Sequence, residues 1–327
     1  MNYIGVDVSK RKLDICLFNG ESYSHLSIRN NEKSIKEYLK RVSKKESHFG
    51  MEATGSYHLV LLYVLQKMKY KVSVINPLII KRFAQMRMMR AKTDKVDSKI
   101  IAGYLYSEKP ELFVAKTKLQ QQMIQILKAM EDITISIEGY KRRIESLTID
   151  PNCSQFTLRS IKRIIEHMKK ERDKLEKKLS EIVSKHYPQD YERLLSIKGL
   201  GKKTATVVLS FFGGFENFEN SKKVISYIGT NPSPVQSGTS IRGRGSISKQ
   251  GNKYLRKMIF MTSLSAMQHN KSCVNLKKRL KERGKEHKII RIAVANKLMR
   301  QAYAILKYKR EYCENYISKN PALSAQA

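Results

Sequence analysis

YIGVDVSKRKLDICLFNGESYSHLSI, residues 3–28, decides how the first third of this chain folds. It contains three short β-rich runs, YIGVDV (3–8), LDICLF (13–18) and SYSHLSI (22–28), separated only by KRK and NGE. Connections that short join antiparallel neighbours, so the stretch predicts three sequential antiparallel strands. Downstream, EKSIKEYLKRV (32–42) places Ile35, Leu39 and Val42 on one helical face. HFGME (48–52) reads as a fourth strand and GSYHLVLLYVLQKM (55–68) as a more buried helix. KVSVI (71–75) is a fifth strand, closed by Asn76-Pro77, and a helical stretch follows from about Lys95 to Ser107. The order β-β-β-α-β-α-β-α is that of a ribonuclease-H-like α/β domain.

A chain of 327 residues with 41% hydrophobic content can build two or three domains with real cores. Sixty-four Lys and Arg stand against 29 Asp and Glu, a formal charge of +35. That excess is far beyond what solubility needs and predicts a polyanionic partner, nucleic acid before an anionic membrane surface. No run of about 18 apolar residues exists to span a bilayer, and MNYIGVDVSK lacks the apolar segment of a signal peptide, so the expectation is a cytoplasmic protein. Cys16, Cys153, Cys273 and Cys313 have no CxxC spacing, which predicts ordinary thiols rather than a zinc site or disulfide framework.

Past residue 115 the periodicity changes. Leu119, Met123, Ile126, Met130, Ile133, Ile137, Tyr140, Ile144 and Leu147 alternate spacings of four and three, a heptad seam. After a turn at Asp150-Pro151-Asn152 a second seam runs through Leu158, Ile161, Ile165, Met168, Arg172, Leu175, Leu179 and Ile182. The pair predicts an antiparallel helical hairpin, each arm roughly 45 Å long, suited to oligomerisation. The remainder is helical and punctuated by glycine. LLSIKGLGKKTATVVLSFFG (194–213) reads as helix end, tight turn, helix; residues 229–251 read as a Gly/Ser/Arg loop; Asn252 is the expected N-cap of the next helix.

Four acids stand out. Asp7 lies inside the first strand between Val6 and Val8, where a carboxylate is costly unless paired or metal-bound. Glu52 ends the fourth strand. Between Leu78 and Tyr106 the only acids are Asp94 and Asp97, spaced i and i+3 at a helix start and surrounded by Lys81, Arg82, Arg87, Arg90, Lys92, Lys95 and Lys99. The plain alternative is that both merely favour the helix N-terminus, which predicts solvent-facing side chains. In a ribonuclease-H-like sheet the first and fourth strands are neighbours and the later helix crosses near them. The four carboxylates would then converge, and such a cluster requires divalent cations; hard oxygen ligands without His or Cys fit Mg²⁺. Lys92 and Lys95, with the cationic run Arg242, Arg244, Lys249, Lys253 and Arg256, would grip phosphates.

Five segments in order, GVDVSK, MEATGSYH, AKTDKVDSKIIAGYL, SIKGLGKKTA and QSGTSIRGRGSISKQGNKYLRKMI, resemble the insertion sequence 110 family of DEDD transposases, which includes the Piv-type DNA invertases. The resemblance covers nearly the whole chain. It implies a RuvC-like DEDD catalytic domain over 1–114, a coiled-coil hairpin for oligomerisation over 115–188, a mainly helical transposase domain over 189–315 and a tail over 316–327. It maps the catalytic, metal-holding tetrad onto Asp7, Glu52, Asp94 and Asp97. It also implies a serine nucleophile that forms a phosphoserine link to DNA, at Ser237 or, in the alternative alignment, Ser233, and a structured bridge RNA as partner. Lys198-Gly199-Leu200-Gly201-Lys202-Lys203 resembles a helix-hairpin-helix turn whose backbone N–H groups hold a phosphate. Tyr227, a conceivable tyrosine nucleophile, sits in the apolar stretch VISYIG and reads as core.

The function expected is therefore that of a DNA transposase or site-specific recombinase working as a dimer or tetramer. A RuvC-type junction nuclease, which would hydrolyse with water and need no serine, is one rival. A non-catalytic nucleic-acid-binding protein, whose four acids would lie apart or face solvent, is the other.

Overall fold

The computed structural model describes residues 1–53, 55–88, 94–237 and 241–314, with only the backbone course for Asp94, 234–237 and 241–245. It divides into two compact units, Met1–Ala115 and Lys116–Ala327. The first is a mixed α/β unit: β1 (Asn2–Val8), β2 (Lys12–Phe18), β3 (Tyr23–Arg29), α1 (Glu32–Leu39), β4 (Ser47–Glu52), α2 (His58–Lys67), β5 (Lys71–Ile75), α3 (Pro77–Met86) and α4 (Asp94–Glu108). The sheet order is β3-β2-β1-β4-β5. The first three strands pair antiparallel, as their short turns require, whereas β1–β4 and β4–β5 are parallel and need the helical crossovers between them.

Strand alternation separates two apolar layers. Ile4, Val6, Leu13, Ile15, Phe49, Met51 and Val72 pack with Ile35 and Leu39 of α1 and with Leu61 and Leu65 of α2. Tyr3, Cys16, Phe18 and Ile75 face the other way and pack on Ile80 and Phe83 of α3 and Ile100, Ile101, Ala102 and Leu105 of α4. Where α4 crosses the sheet, side chains are missing by design of the sequence. A Cβ on Gly5 would run into the Ser98 carbonyl oxygen and the Ala102 amide, and one on Gly50 would lie 2.7 Å from the Leu105 side chain.

One helix of this unit escapes the sequence pattern. Asn76-Pro77 does end β5, but it also begins α3: the Asn76 side chain accepts the Leu78 N–H at 2.9 Å, and Pro77 occupies the first helical position, where its missing N–H costs nothing. A dipeptide that stops a strand is here also a helix cap.

The second unit contains α5 (Lys118–Thr148), α6 (Gln155–His186), α7 (Pro188–Leu195), α8 (Lys202–Phe212), α9 (Ser221–Ile228), β6 (Pro232–Ser237), β7 (Ile241–Ile247), α10 (Lys253–His269), α11 (Lys271–Glu282) and α12 (His287–Lys307). Helix α5 opens with a capping box between Thr117 and Gln120. Helices α5 and α6 pack along each other across a short connection in which Asp150 accepts the Asn152 N–H at 2.9 Å. Met123, Leu127, Met130, Leu179 and Val183 join the main core, whereas Ile133, Ile144, Ile161 and Met168 are only half-buried. The core centres on α8, whose residues from Val207 to Phe212 are all buried. Among the described residues no helix is long and apolar enough to cross a membrane.

Residues 229–251, expected to be a loop, contain an antiparallel ribbon, β6 and β7. Its register shifts between Ser233 and Val235, at Pro234, which has no N–H to give the ladder. Glycine and proline hide such a ribbon from a propensity reading, because PSPVQS and IRGRGSI show no apolar alternation in sequence.

The close approach of α4 gives a stability prediction. Gly5→Ala should cost roughly 3 kcal/mol or prevent folding, because helix backbone cannot yield. Gly50→Ala should cost about 1 kcal/mol, since Leu105 can turn aside. Denaturant unfolding midpoints of the two variants check the difference.

Candidate active site

Asp7 and Glu52 come side by side through strand pairing. Val6 pairs with Met51 in the parallel β1–β4 ladder, and Asp7 and Glu52 are the next residues on each strand. Neighbouring strands lie about 4.8 Å apart, so the two carboxylates start from adjacent backbone positions. Alternation puts both on the face covered by α4, because Gly5 and Gly50, two residues earlier on each strand, are the positions that α4 contacts. Asp7 and Glu52 are half-buried.

Helix α4 runs antiparallel to β1. Its Tyr106 stacks edge-on with Tyr3 at 5.4 Å, and Ser98 and Ala102 cross Gly5, which carries the first turn toward the end of β1 where Asp7 lies. Asp97 is half-buried on that turn, unlike the solvent-facing residue that a simple dipole role predicts. Asp94 opens α4, and its side chain lies outside the described residues, as does Lys92; Lys95 is exposed. Among the described residues no group of three or more His, Cys, Asp or Glu side chains closes into a metal cage. The backbone thus brings Asp7 and Glu52 together and directs the start of α4 toward them.

A fifth acid escaped the sequence reading. Asp14 pairs with Asp7 across the antiparallel β1–β2 ladder, is only 7% exposed, and is bridged by Lys12 at 2.8 Å. The signal was present: Asp14 interrupts an apolar strand as Asp7 does, between Leu13 and Ile15. Lys12 neutralises it, which offsets the cost of burying a carboxylate beside Asp7.

Beneath Glu52, on the same face of β4, buried His48 anchors the strand. Its Nε2 lies 2.8 Å from Ser73 Oγ on β5, and that hydroxyl donates to the Glu111 carbonyl oxygen at 2.8 Å. Burial, then the Lys71 charge, pushes the His48 pKa below its ordinary value of 6.5.

In the second unit, the Lys198–Lys203 turn joins α7 to α8. Gly199 takes a φ of +87°, Leu200 is buried, and the Asn270 side chain donates to the Lys198 carbonyl oxygen at 3.1 Å. Gly201 is the N-cap of α8 and contributes no side-chain bond, and Lys202 and Lys203 are exposed on the first turn. Lys198 is engaged elsewhere, with Glu314 at 3.1 Å. Ser233 is exposed and pairs with Ser246, and Ser237 pairs through its backbone with Ile241. The side chains of Ser237, Arg242 and Arg244 lie outside the described residues. Lys249 and Lys253 are exposed, whereas half-buried Arg256 donates to the Ile228 carbonyl oxygen at 2.9 Å, capping the end of α9. Asn252 caps α10 as expected, accepting the Leu255 N–H at 2.9 Å. Tyr227 packs edge-on against Phe212 and Phe218 at 5.5 and 5.7 Å, and burial raises its phenol pKa. That makes it core rather than nucleophile.

Two family models match this chain, one described as a transposase of the DEDD IS110 type over residues 4–148 and one as the transposase IS116/IS110/IS902 family over residues 191–278. The chain is 28% identical over 318 residues to the pilin gene-inverting proteins of Moraxella lacunata and Moraxella bovis, covering 95% of this chain and 97% of each relative. It is also 29% identical over 114 residues, 35% of this chain and 28% of the relative, to an uncharacterized insertion element IS110 protein of Streptomyces coelicolor. Both units thus carry a transposase signature. The chain belongs to the IS110 family of transposases and is a DNA-rearranging enzyme.

The His48 environment predicts a pH dependence. With its folded pKa depressed, the unfolded chain takes up the proton first as pH falls below about 6.5, so this residue's contribution to stability is complete above that pH and is lost below it. Urea midpoints at pH 7.5 and 5.5 should differ less in His48→Gln than in the parent protein.

Proposed function

We propose that this enzyme cuts and rejoins DNA at insertion-element ends and target sites by serine attack on a phosphodiester, assisted by Mg²⁺ and directed by a bridge-type noncoding RNA. The observation that carries the reading is the position of Asp7 and Glu52 on one sheet face, with the start of α4 directed toward them, in a chain of net charge +35. The strand order supports a RuvC-like, ribonuclease-H-like domain over 1–114. The half-buried outer seam of α5 and α6 supports the coiled-coil hairpin of 115–188 as an oligomerisation element for a dimer or tetramer. Residues 189–315 are the transposase domain with the serine; the 316–327 tail lies outside the described residues. Cytoplasmic residence, on the nucleoid when DNA-bound, follows from the substrate.

The donor set fits magnesium: carboxylate oxygens from Asp7, Glu52, Asp94 and Asp97, with neither Cys nor His at these four positions. When bound, the ion supplies positive charge that stabilises the attacking and leaving oxygens. The four carboxylates would hold it. Ser237 supplies the nucleophile: its Oγ–P bond forms, the P–O bond to the deoxyribose oxygen breaks, the hydroxyl proton leaves, and the departing oxygen gains one. Return attack by a strand hydroxyl reverses these changes and frees the serine, so strand rejoining needs no external energy source. Lys95, Lys202, Lys203, Lys249 and Lys253 hold the backbone, and the uncapped first turn of α8 offers its N–H groups to a phosphate. Base reading is delegated to RNA pairing.

Incubation with end-labelled DNA and a denaturing gel tests this reading. Ser237→Ala should give no protein-linked band while Ser233→Ala retains it; an adduct in Ser237→Ala would overturn the nucleophile. Asp7→Asn and Glu52→Gln should lower cleavage by roughly 10²–10³-fold with DNA affinity preserved, because they remove metal ligands and add net positive charge.

A further inference from the structure

A cleft of about 220 Å³ opens between α11 and α12, lined by Ser272, Asn275, Leu276, Arg279 and Lys297. The four α11 residues are spaced by three, one and three, so they form one face of that helix. Ser272 is fixed, its hydroxyl donating to Asn270 Oδ1 and accepting from Gln301 Nε2, each at 2.9 Å. Among the described residues the two cations have no such partners, and buried Arg279 Nε makes no hydrogen bond. Among the described residues neither Arg279 nor Lys297 is paired with a carboxylate.

This is an electrostatic deficit. Burial, and then the Arg279 and Arg300 charges, lower the Lys297 pKa, while the neighbouring Cys273 thiol, pushed up to about 11 by burial, stays neutral at pH 7 and gives no counter-charge. Two partly buried cations that share a cleft without an anion lower stability, so their position calls for a ligand that supplies the negative charge. The surrounding segment adds to the field: residues 271–291 hold nine Lys and Arg against Glu282 and Glu286. Arg279 and Lys297 lie beyond the transposase segment matched at 191–278.

We infer that the α11–α12 cleft holds one phosphate of the DNA backbone, gripped by Arg279 and Lys297. The guanidinium offers a planar fork to two phosphate oxygens, Lys297 a compact charge beside it, and exposed Asn275 an amide at the rim. Contacts of this kind fix the register of a duplex and carry no sequence information. The inference rests on the reading of DNA as the substrate, but its readout is binding rather than strand joining. Failure here therefore leaves the serine chemistry standing, and failure of adduct formation leaves the binding result interpretable.

The test is fluorescence anisotropy of the full chain with a labelled random-sequence duplex across a salt series. Arg279→Gln/Lys297→Gln should bind roughly tenfold more weakly, with the slope of log K against log salt reduced by about one, and should melt no lower than the parent. Lys297→Arg should keep the parent slope. If the double variant melts early, Lys297→Gln alone, which relieves one repulsion, provides the same readout. Unchanged affinity and slope in a folded variant overturn the inference. So does a loss confined to RNA of the same sequence, which would assign the cleft to RNA.

Discussion

The contact on which the first unit depends is the crossing of α4 over Gly5. A backbone-to-backbone approach this close is available only to glycine, and it fixes the height of the helix above β1. The placement of α4 against Asp7 follows from it. Asp7 is two residues further along the same strand and face, and Asp97 precedes the Ser98 whose carbonyl meets Gly5. Parallel pairing with β4 supplies Glu52 from the side. The first turn of α4 also presents the positive end of its dipole to this carboxylate-rich end of the sheet, which lowers the cost of gathering acids there.

The basic character of the chain serves two purposes. Some cations are props within the fold: Lys307 Nζ reaches the carbonyl oxygens of Phe215, Glu216 and Phe218, Lys116 donates to Phe211, and Arg291 donates to Phe260 while its guanidinium lies 3.6 Å from that ring's centroid. Each satisfies carbonyls at or just beyond a helix end or beside an aromatic ring, work that a charge–dipole contact does well. Arg256 belongs with them. The cations on exposed faces, and the two confined in the α11–α12 cleft, are the candidates for phosphate. Net charge alone predicts a polyanion; packing picks out the cations that hold the protein together.

Much of the α/β unit was legible in sequence because its signals are local: short turns fix antiparallel pairing, alternation fixes the buried face, and helical spacing places Ile35 and Leu39. What escaped was set by context. Asn76-Pro77 has one meaning for the strand it ends and another for the helix it starts. The β6–β7 ribbon has no apolar alternation to show. Asp14 takes its meaning from pairing, which places it opposite Asp7. The heptad seam was half right for a similar reason, since periodicity says which positions align but not whether a partner covers them: Met123 and Leu179 are buried, Ile144 and Met168 only partly.

The central claim is that the carboxyl ends of β1 and β4, with the start of α4, form one divalent-metal centre in a DNA-rearranging enzyme. Crystals grown with Mn²⁺ and measured at its absorption edge test it most directly. The account predicts an anomalous peak within coordination distance of Asp7 and Glu52 that disappears in Asp7→Asn. A well-ordered site in which those carboxylates carry no peak, with manganese bound elsewhere, would contradict it.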